Sequence, residues 1–242
     1  MAVQTVFKRY EMKYMITQAQ KQTILQAMQP YMRESQYGHA TIRNIYFDTD
    51  HYLLVRRSIE KPVYKEKLRI RSYDKADPGS TVFVELKKKY KGVVYKRRVS
   101  MPQQAAMAWI CGGGTGNGSQ ISKEIDYFLQ YYKLKPAVFL TYERDAFFGK
   151  QDDDLRITFD ENILCRQEDI SLGVDIYGTP VLPEGMTIME VKYSRGLPMW
   201  LVEVLSSEKI YKASFSKYGV AYQKTIFPKE KQEVALRDGS GI

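Results

Sequence analysis

Within the stretch 64–73, positively charged side chains occupy every second position from 65 to 71. They are Lys65, Lys67, Arg69 and Arg71. Because successive side chains of a β-strand point to opposite faces, all four cations would share one face. Like charges in a row repel one another unless an anion or water separates them. Guanidinium forks match phosphate oxygens and ammonium groups supply point charge, so this spacing predicts a surface that binds phosphate groups.

The same alternation recurs in other strand-like stretches, and the opposite faces are mostly apolar. The further sets are Arg9, Glu11 and Lys13; Glu85, Lys87 and Lys89; Lys96 and Arg98; Tyr142 and Arg144; Arg156 and Thr158; and Glu190 and Lys192. For any single strand, the usual explanation is a sheet with one solvated polar face. A solvated face normally mixes several polar residue types, whereas these faces are dominated by Arg and Lys. If the sheet closes, the cations lie inside it and form a site for polyanions.

Three other motifs are weaker candidates for a functional site. The glycine-rich segment at 112–118 lacks the GK[ST] ending of a P-loop and predicts a flexible connector at about 111–119. The run Asp48-Thr49-Asp50 could hold a metal, but turn chemistry explains it as well. His51 has no Ser or Cys nucleophile pattern nearby, which argues against a catalytic triad.

The elements that would position these side chains are short strands interrupted by helices. We predict strands at 6–15, 41–47, 64–73, 81–89, 93–101, 137–147, 154–160 and 186–193. Helices are predicted at 18–29 behind an N-cap at Thr17, at 102–110, at 121–134, at 198–205, and once more after Ser214. The order is not a regular β-α-β alternation, so an antiparallel sheet is favoured.

Eight strands can just enclose a small ligand when a sheet closes on itself. The predicted fold class is therefore α+β, with an eight-stranded, antiparallel, closed β-tunnel and helices packed outside it. At this length, an all-β barrel is often a single domain, so we predict one domain over residues 1–242.

The composition limits the class of partner. The chain has 242 residues and 37 Lys plus Arg against 28 Asp plus Glu, a formal net charge of +9 that favours anionic partners. Two cysteines in no paired pattern and two histidines argue against a structural zinc site and a disulfide framework. No run of 18 apolar residues and no signal-peptide core are present. The expectation is a cytoplasmic protein with no membrane segment.

A set of short motifs stands in order along nearly the whole chain. They are FKRYEMKY at 7–14, YFDT at 46–49, LRIRSY at 68–73, ELK at 85–87, YER at 142–144, LRITFD at 155–160, MEVKY at 189–193 and SFSKY at 214–218. Each motif alone is weak, but together and in this order they are specific. From about Phe7 to Tyr222 the sequence resembles the VTC-type polyphosphate polymerase domain, a member of the triphosphate tunnel metalloenzyme superfamily.

The resemblance implies a triphosphate tunnel that binds ATP and transfers its γ-phosphoryl group to a growing polyphosphate chain, assisted by Mn²⁺ or Mg²⁺. The residues implied to bind phosphate are Lys13, Arg69, Arg71, Lys87, Lys96, Tyr142, Arg144, Arg156, Lys192, Ser216 and Lys217. Those implied to be catalytic are Arg69, Arg71, Lys87, Arg144, Arg156 and Glu190. Glu190 is also the implied metal ligand. The implied partners are ATP or triphosphate and polyphosphate, with no nucleic acid.

The sequence departs from the superfamily in one strand. Other tunnel enzymes carry an ExExK strand whose two Glu help to bind metal, whereas Arg9 replaces the first acid here and leaves Glu11 and Lys13. This departure argues against the first alternative, a tunnel-type triphosphatase, because water needs activation by carboxylates. The second alternative is a non-catalytic protein that binds polyphosphate, RNA or another polyanion. An enclosed tunnel argues against a long nucleic acid. We also expect Arg69 and Arg71 to point into one lumen with Lys87, Arg144 and Arg156.

Overall fold

The computed structural model of the protein describes residues 10–91 and 93–229. The chain divides into two compact units. The first takes in the chain up to Ala40, Tyr142–Ile163 and Leu182–Phe215, and the second takes in Thr41–Thr141, Leu164–Val181 and the chain from Ser216. The prediction of one domain over 1–242 stays a prediction.

The described residues contain nine strands and six α-helices. The strands are β1 (Tyr10–Thr17), β2 (Met32–Asp48), β3 (Tyr64–Tyr73), β4 (Thr81–Tyr90), β5 (Val93–Pro102), β6 (Lys135–Gly149), β7 (Arg156–Arg166), β8 (Thr179–Pro180) and β9 (Met186–Tyr193). The helices are α1 (Gln18–Met28), α2 (Leu53–Ile59), α3 (Gln103–Gly112), α4 (Gln120–Tyr132), α5 (Met199–Ser207) and α6 (Lys217–Ala221), which a π-helix (Tyr222–Ile226) follows. None of the helices in this part of the chain is long and apolar enough to cross a membrane.

Most of the predicted elements are confirmed. The strands β3 and β9 have the predicted bounds, and Thr17 caps α1 in a capping box with Gln20. The structure adds α2 and β8, and it extends β2 and β7 well beyond the predicted strands at 41–47 and 154–160. Residues 6–9 of the first predicted strand lie outside the described residues.

In the first unit the strand order is β1-β9-β7-β6-β2. The pairs β1–β9 and β7–β9 are antiparallel. One face of these strands is apolar, and helices α1 and α5 cover it. The buried cluster on that face includes Ile24, Ile157, Phe159, Val191 and Leu201. Alternation then places Arg156, Thr158, Glu190 and Lys192 on the opposite face.

In the second unit the order is β6-β2-β3-β4-β5, and the two-residue β8 pairs with β7. The pairs β2–β3, β3–β4 and β4–β5 are antiparallel. Helices α3 and α4 cover the apolar face, where Val84, Leu86, Trp109, Ile125 and Phe128 are buried together. The cations of β3 lie on the other face, as their spacing predicts.

The prediction of a closed eight-stranded sheet is wrong. Eight strands form a path that begins at β1 and ends at β5, and β8 makes the sheet nine-stranded. In the described residues β1 pairs with β9 and β5 with β4, so both remain edge strands. Strand β5 carries Lys96, Arg97 and Arg98 in succession, and such consecutive charges are typical of a sheet edge. Side-chain alternation fixes which face is polar, but it does not decide whether the first and last strands pair.

Candidate functional site

Strand pairing in the second unit brings cations of β3, β4 and β5 into rows. Arg69 lies opposite Glu85, which lies opposite Arg98. The next row, two residues along, consists of Lys67, Lys87 and Lys96. Directly opposed like charges destabilise a sheet. A row of lysines is therefore stabilised by a nearby anion, and Glu85 of the neighbouring row supplies one to Lys96.

One buried carboxylate, Glu85, lies within 4.0 Å of four cationic side chains of this unit. Arg69 donates to it from Nη2 at 2.7 Å and from Nε at 2.8 Å. Arg98 donates from Nε at 2.7 Å, and Lys96 Nζ lies 2.6 Å from Oε1. The Nε of Arg71 lies 4.0 Å away. We call this set of five side chains the Glu85 cluster. It holds four cations for one carboxylate, so it carries excess positive charge.

Burial and charge act in opposite directions on this carboxylate. Burial alone would raise the pKa of Glu85, but the charges of Arg69, Arg71 and Lys96 outweigh it and hold that pKa well below its usual range. Desolvation lowers the pKa of Lys96 to about 8, although the charge of Glu85 opposes the shift. Glu85 thus stays ionised at neutral pH. The pKa of Lys96 lies just above neutral pH.

A chain of contacts orients Arg69 from behind. Its Nη1 donates to the Tyr46 hydroxyl at 3.0 Å, and the Tyr46 ring stacks on Tyr218 with centroids 4.8 Å apart. The Tyr218 hydroxyl donates in turn to buried Asp48 at 3.0 Å. Asp48 also accepts the backbone N–H groups of Thr49, Leu54 and Val55 at the start of α2. Asp48 therefore stabilises the turn at 48–50 and caps the start of α2 with its carboxylate.

The same contacts place the motif at 214–218. Ser216 caps α6 by accepting from the Gly219 N–H, and it accepts from Lys67 Nζ at 2.8 Å. Lys217, the first residue of α6, is buried at 8% exposure. The predicted phosphate ligands Ser216 and Lys217 thus belong to the same unit as the Glu85 cluster.

A second carboxylate, Glu190, gathers cations in the first unit. Lys13 Nζ lies 3.0 Å from its Oε1, while Lys192 Nζ and Arg144 Nη2 lie 3.5 and 3.7 Å from its Oε2. Strand pairing explains the arrangement, because Lys13 lies opposite Glu190 between β1 and β9. We call these four side chains the Glu190 cluster. It holds three cations for one buried carboxylate.

Further contacts fix Arg144 within this cluster. It makes a bidentate pair with buried Asp160, at 2.6 Å from Nε and 2.7 Å from Nη2. Its guanidinium carbon lies 5.2 Å from the centre of the Tyr142 ring. Burial would lower the pKa of Arg144, but Tyr142, Asp160 and Glu190 raise it well above its ordinary value. Arg144 is therefore a cation that stays charged and is oriented by Asp160.

Lys192 is the titratable cation of the Glu190 cluster. Desolvation lowers its pKa to about 8, although Glu190 acts to raise it. Arg156 lies opposite Lys192 between β7 and β9 and also acts to lower that pKa. The guanidinium of Arg156 is placed over the Phe148 ring at 4.9 Å.

The predicted site residues thus fall into two sets. Those of the second unit are Arg69, Arg71, Lys87, Lys96, Ser216 and Lys217. Those of the first unit are Lys13, Tyr142, Arg144, Arg156, Glu190 and Lys192. Their roles, and their convergence on one lumen, stay predictions. Arg9 lies outside the described residues.

The site prediction missed several residues that contact these sets. Arg98 and Lys67 share faces with predicted ligands, so strand alternation could have found both. Asp160 shares its face with Arg156, and the motif at 155–160 contains it. Tyr218 and Asp48 also lie in quoted motifs, but they are 170 positions apart and only the fold joins them.

The carboxylates near Lys13 fit a divalent cation only in part. Enzymes commonly bind Mg²⁺ through one or two carboxylates, and substrate phosphates complete the oxygen ligands. Glu11 and Glu190 both contact Lys13 Nζ, at 3.5 and 3.0 Å. Within residues 10–91 and 93–229, no three His, Cys, Asp or Glu side chains are grouped to hold a metal. The donors therefore fit an ion that arrives with a phosphate ligand, and they do not fit a metal held by protein alone.

Comparisons with known proteins agree with this picture. The family profile described as the VTC domain matches residues 8–226. No curated protein matches the sequence. A crystal structure from Bacillus halodurans, of a protein proposed to be an adenylate cyclase, is similar with a TM-score of 0.54 and 16% identity, over 85% of this chain and 92% of that one. This similarity shows a shared fold.

Two further solved structures are more distant. One is from Vibrio parahaemolyticus, also a protein proposed to be an adenylate cyclase, with a TM-score of 0.46 and 11% identity over 90% of this chain and 98% of that one. The other is from Pyrococcus horikoshii, with a TM-score of 0.42 and 13% identity over 89% of this chain and 99% of that one.

Proposed function

Because this chain belongs to the VTC domain family, we propose that it is a metal-dependent phosphotransferase. It would transfer the γ-phosphoryl group of ATP to a growing polyphosphate chain. The observation that carries the proposal is the excess of cations in the Glu85 cluster. Glu85 has four cationic side chains within 4.0 Å, and Glu190 has three. Guanidinium forks and ammonium groups bind phosphate oxygens through charge-assisted hydrogen bonds.

The side chains supply positioning and charge. Phosphoryl transfer needs little covalent help from a protein, because its transition state spreads charge over the phosphate oxygens. Arg69 and Arg144 are held by Glu85 and Asp160 and would present preorganised donors to those oxygens. The terminal phosphate of the polymer is already an anionic nucleophile at neutral pH. We therefore assign no general base.

The full set of proposed roles follows the family motifs. The proposed catalytic residues are Arg69, Arg71, Lys87, Arg144, Arg156 and Glu190. The proposed additional phosphate ligands are Lys13, Lys96, Tyr142, Lys192, Ser216 and Lys217. A divalent cation, held by Glu190 with Glu11 and the substrate, would act as a Lewis acid on the phosphate oxygens. The proposed location is cytoplasmic, as the absence of a paired cysteine pattern in the sequence predicts.

Two alternatives differ in their products. A triphosphatase would release orthophosphate, and the pair Glu11 and Glu190 is the feature that favours it. A polyanion-binding protein would bind without turnover. Within the described residues β1 and β5 do not pair with each other, so the test includes an RNA oligonucleotide.

Product analysis separates the three functions. The protein is incubated with ATP and Mn²⁺, and polyphosphate and orthophosphate are quantified over time. Polyphosphate that grows with ATP consumption supports the proposal. Orthophosphate alone contradicts it and favours a triphosphatase. Neither product, with tight binding of polyphosphate or RNA, contradicts it in favour of a binding protein.

A further inference from the structure

Thr158 has a buried hydroxyl that makes no hydrogen bond within the described part of the chain. The residue is 0% exposed, and its Oγ1 is among the few buried side-chain atoms that lack a partner there. It lies on β7 directly opposite Glu190 on β9. Burying a hydroxyl without a partner costs free energy, and a hydrophobic side chain of the same shape would avoid that cost.

The position of Thr158 connects it with the Glu190 cluster. Its strand neighbours on the same face are Arg156 and Asp160, and Asp160 pairs with Arg144. Side chains directly opposite in an antiparallel pair have Cβ atoms about 4.5–5.5 Å apart. Rotation about χ1 moves a hydroxyl between staggered positions, so Oγ1 can approach the Glu190 carboxylate. A carboxylate offers about four lone-pair sites and can accept a hydroxyl in addition to its cations.

We propose that Thr158 is a positioning residue for Glu190 in the ligand-bound state. This inference rests on the proposed function. When phosphates bind, the ammonium groups of Lys13 and Lys192 would turn towards phosphate oxygens and leave Glu190. The Thr158 hydroxyl then donates to Glu190 and holds its carboxylate towards the metal that accompanies the triphosphate. The Thr158 hydroxyl therefore stabilises the ligand-bound protein and lowers the stability of the ligand-free protein.

The test compares Thr158→Val, Thr158→Ser and a matched control. Thr141 is also buried, at 1% exposure, and its Oγ1 likewise lacks a partner in the described residues, but it lies on the β6 face opposite to Tyr142 and Arg144. Thr141→Val thus removes a similar hydroxyl away from the Glu190 cluster. Inorganic triphosphate binding is measured by calorimetry with and without Mn²⁺, and melting temperatures are measured on the same samples.

With Mn²⁺, we expect Thr158→Val to weaken triphosphate binding about tenfold, the value of one hydrogen bond to a charged group. Without Mn²⁺ it should bind as the wild type does. Thr158→Ser should bind nearly normally under both conditions, and Thr141→Val should not alter binding. The free Thr158→Val protein should melt at or above the wild-type temperature.

Two results with Thr158→Val would overturn the positioning role, and one result with the wild type would overturn the proposed function. Wild-type affinity in Thr158→Val with Mn²⁺, or an equal loss with and without Mn²⁺, would show that Thr158 does not position Glu190. If Thr158→Val unfolds, Thr158→Ala takes its place with Thr141→Ala as its control, and the same two results decide. A wild type that fails to bind triphosphate would overturn the proposed function itself.

Discussion

Replacing Glu85 by Gln should strongly destabilise the free protein. The side chain is 1% exposed and lies within 4.0 Å of four cationic side chains. Removing one member of a buried ion pair costs about 3–5 kcal/mol, because it leaves the partners as uncompensated charges. For a chain of this size, each kcal/mol lowers Tm by about 2–4 °C, so we expect a fall of about 6–20 °C.

Bound triphosphate should reduce the difference in Tm between the wild type and Glu85→Gln. An anion bound among Arg69, Arg71, Lys96 and Arg98 replaces the charge that Glu85 supplied. A ligand at one hundred times its Kd stabilises the wild type by about 2.7 kcal/mol, and it should stabilise Glu85→Gln by more. The assay is thermal melting of both proteins across a triphosphate titration. The reasoning is refuted if both proteins shift equally, or if Glu85→Gln melts like the wild type without ligand.

A control and a pH series sharpen the result. Glu124 pairs with Lys88 and Arg97 but is 30% exposed, so Glu124→Gln should cost less than about 1 kcal/mol. The pKa of Glu85 lies below its usual range, so its contribution is complete above the unfolded pKa of about 4.3 and is lost as the pH falls towards the folded pKa. The gap between wild type and Glu85→Gln should therefore be constant just above about pH 5, where Lys96 is charged in both proteins, and shrink below about pH 4.

Three further outcomes are expected. Triphosphate affinity should fall as the pH rises from about 7 to 9, because Lys96 and Lys192 have pKa values of about 8 and bind phosphate when charged. Binding near pH 8 should then take up protons, and calorimetry in two buffers of different ionisation enthalpy will detect this; identical heats would contradict it. Arg156→Ala should weaken triphosphate binding and leave Tm within a few degrees, since Arg156 contributes a like charge beside Lys192; a large loss of Tm with normal affinity would contradict it. Tyr218→Phe should lower the unfolding free energy by about 1–3 kcal/mol, because buried Asp48 loses a donor, and chemical denaturation measures this; an unchanged unfolding free energy would show that the contact is not stabilising.

Strand periodicity predicted the faces of the sheet well. Alternation placed Arg69 and Arg71 with Lys87 on one face, and the pairing of β3 with β4 confirms that they share it. The family resemblance implied Lys96 and not Arg98 as a phosphate ligand, whereas the structure brings both to Glu85. Lys96 and Arg98 are successive residues on the same strand face. A period-2 pattern treats such residues alike, so it could not decide which of them contacts the site.

Features that depend on distant contacts could not be predicted in this way. Helix α2 begins after Tyr52, whose positive φ of 54° is rare for a non-glycine residue, and its cap is Asp48 several residues earlier. No local cap signal announces such a helix. Closure of the sheet was predicted wrongly for a related reason, since it depends on pairing between the first and last strands. The second unit's contact between Asp48 and Tyr218 likewise exists only in the folded chain.

Glu190→Gln tests the central claim most directly. Glu190 is surrounded by Lys13, Arg144 and Lys192, which remain to bind phosphate when its charge is removed. Triphosphate binding is measured by calorimetry and polyphosphate formation from ATP is measured in parallel, for both proteins, with and without Mn²⁺. Without Mn²⁺ the account predicts near-normal or tighter triphosphate binding. With Mn²⁺ it predicts a loss of affinity at least as large as that expected for Thr158→Val, and a fall in kcat far larger than that loss. Near-normal Mn²⁺-dependent polyphosphate formation by Glu190→Gln would contradict it.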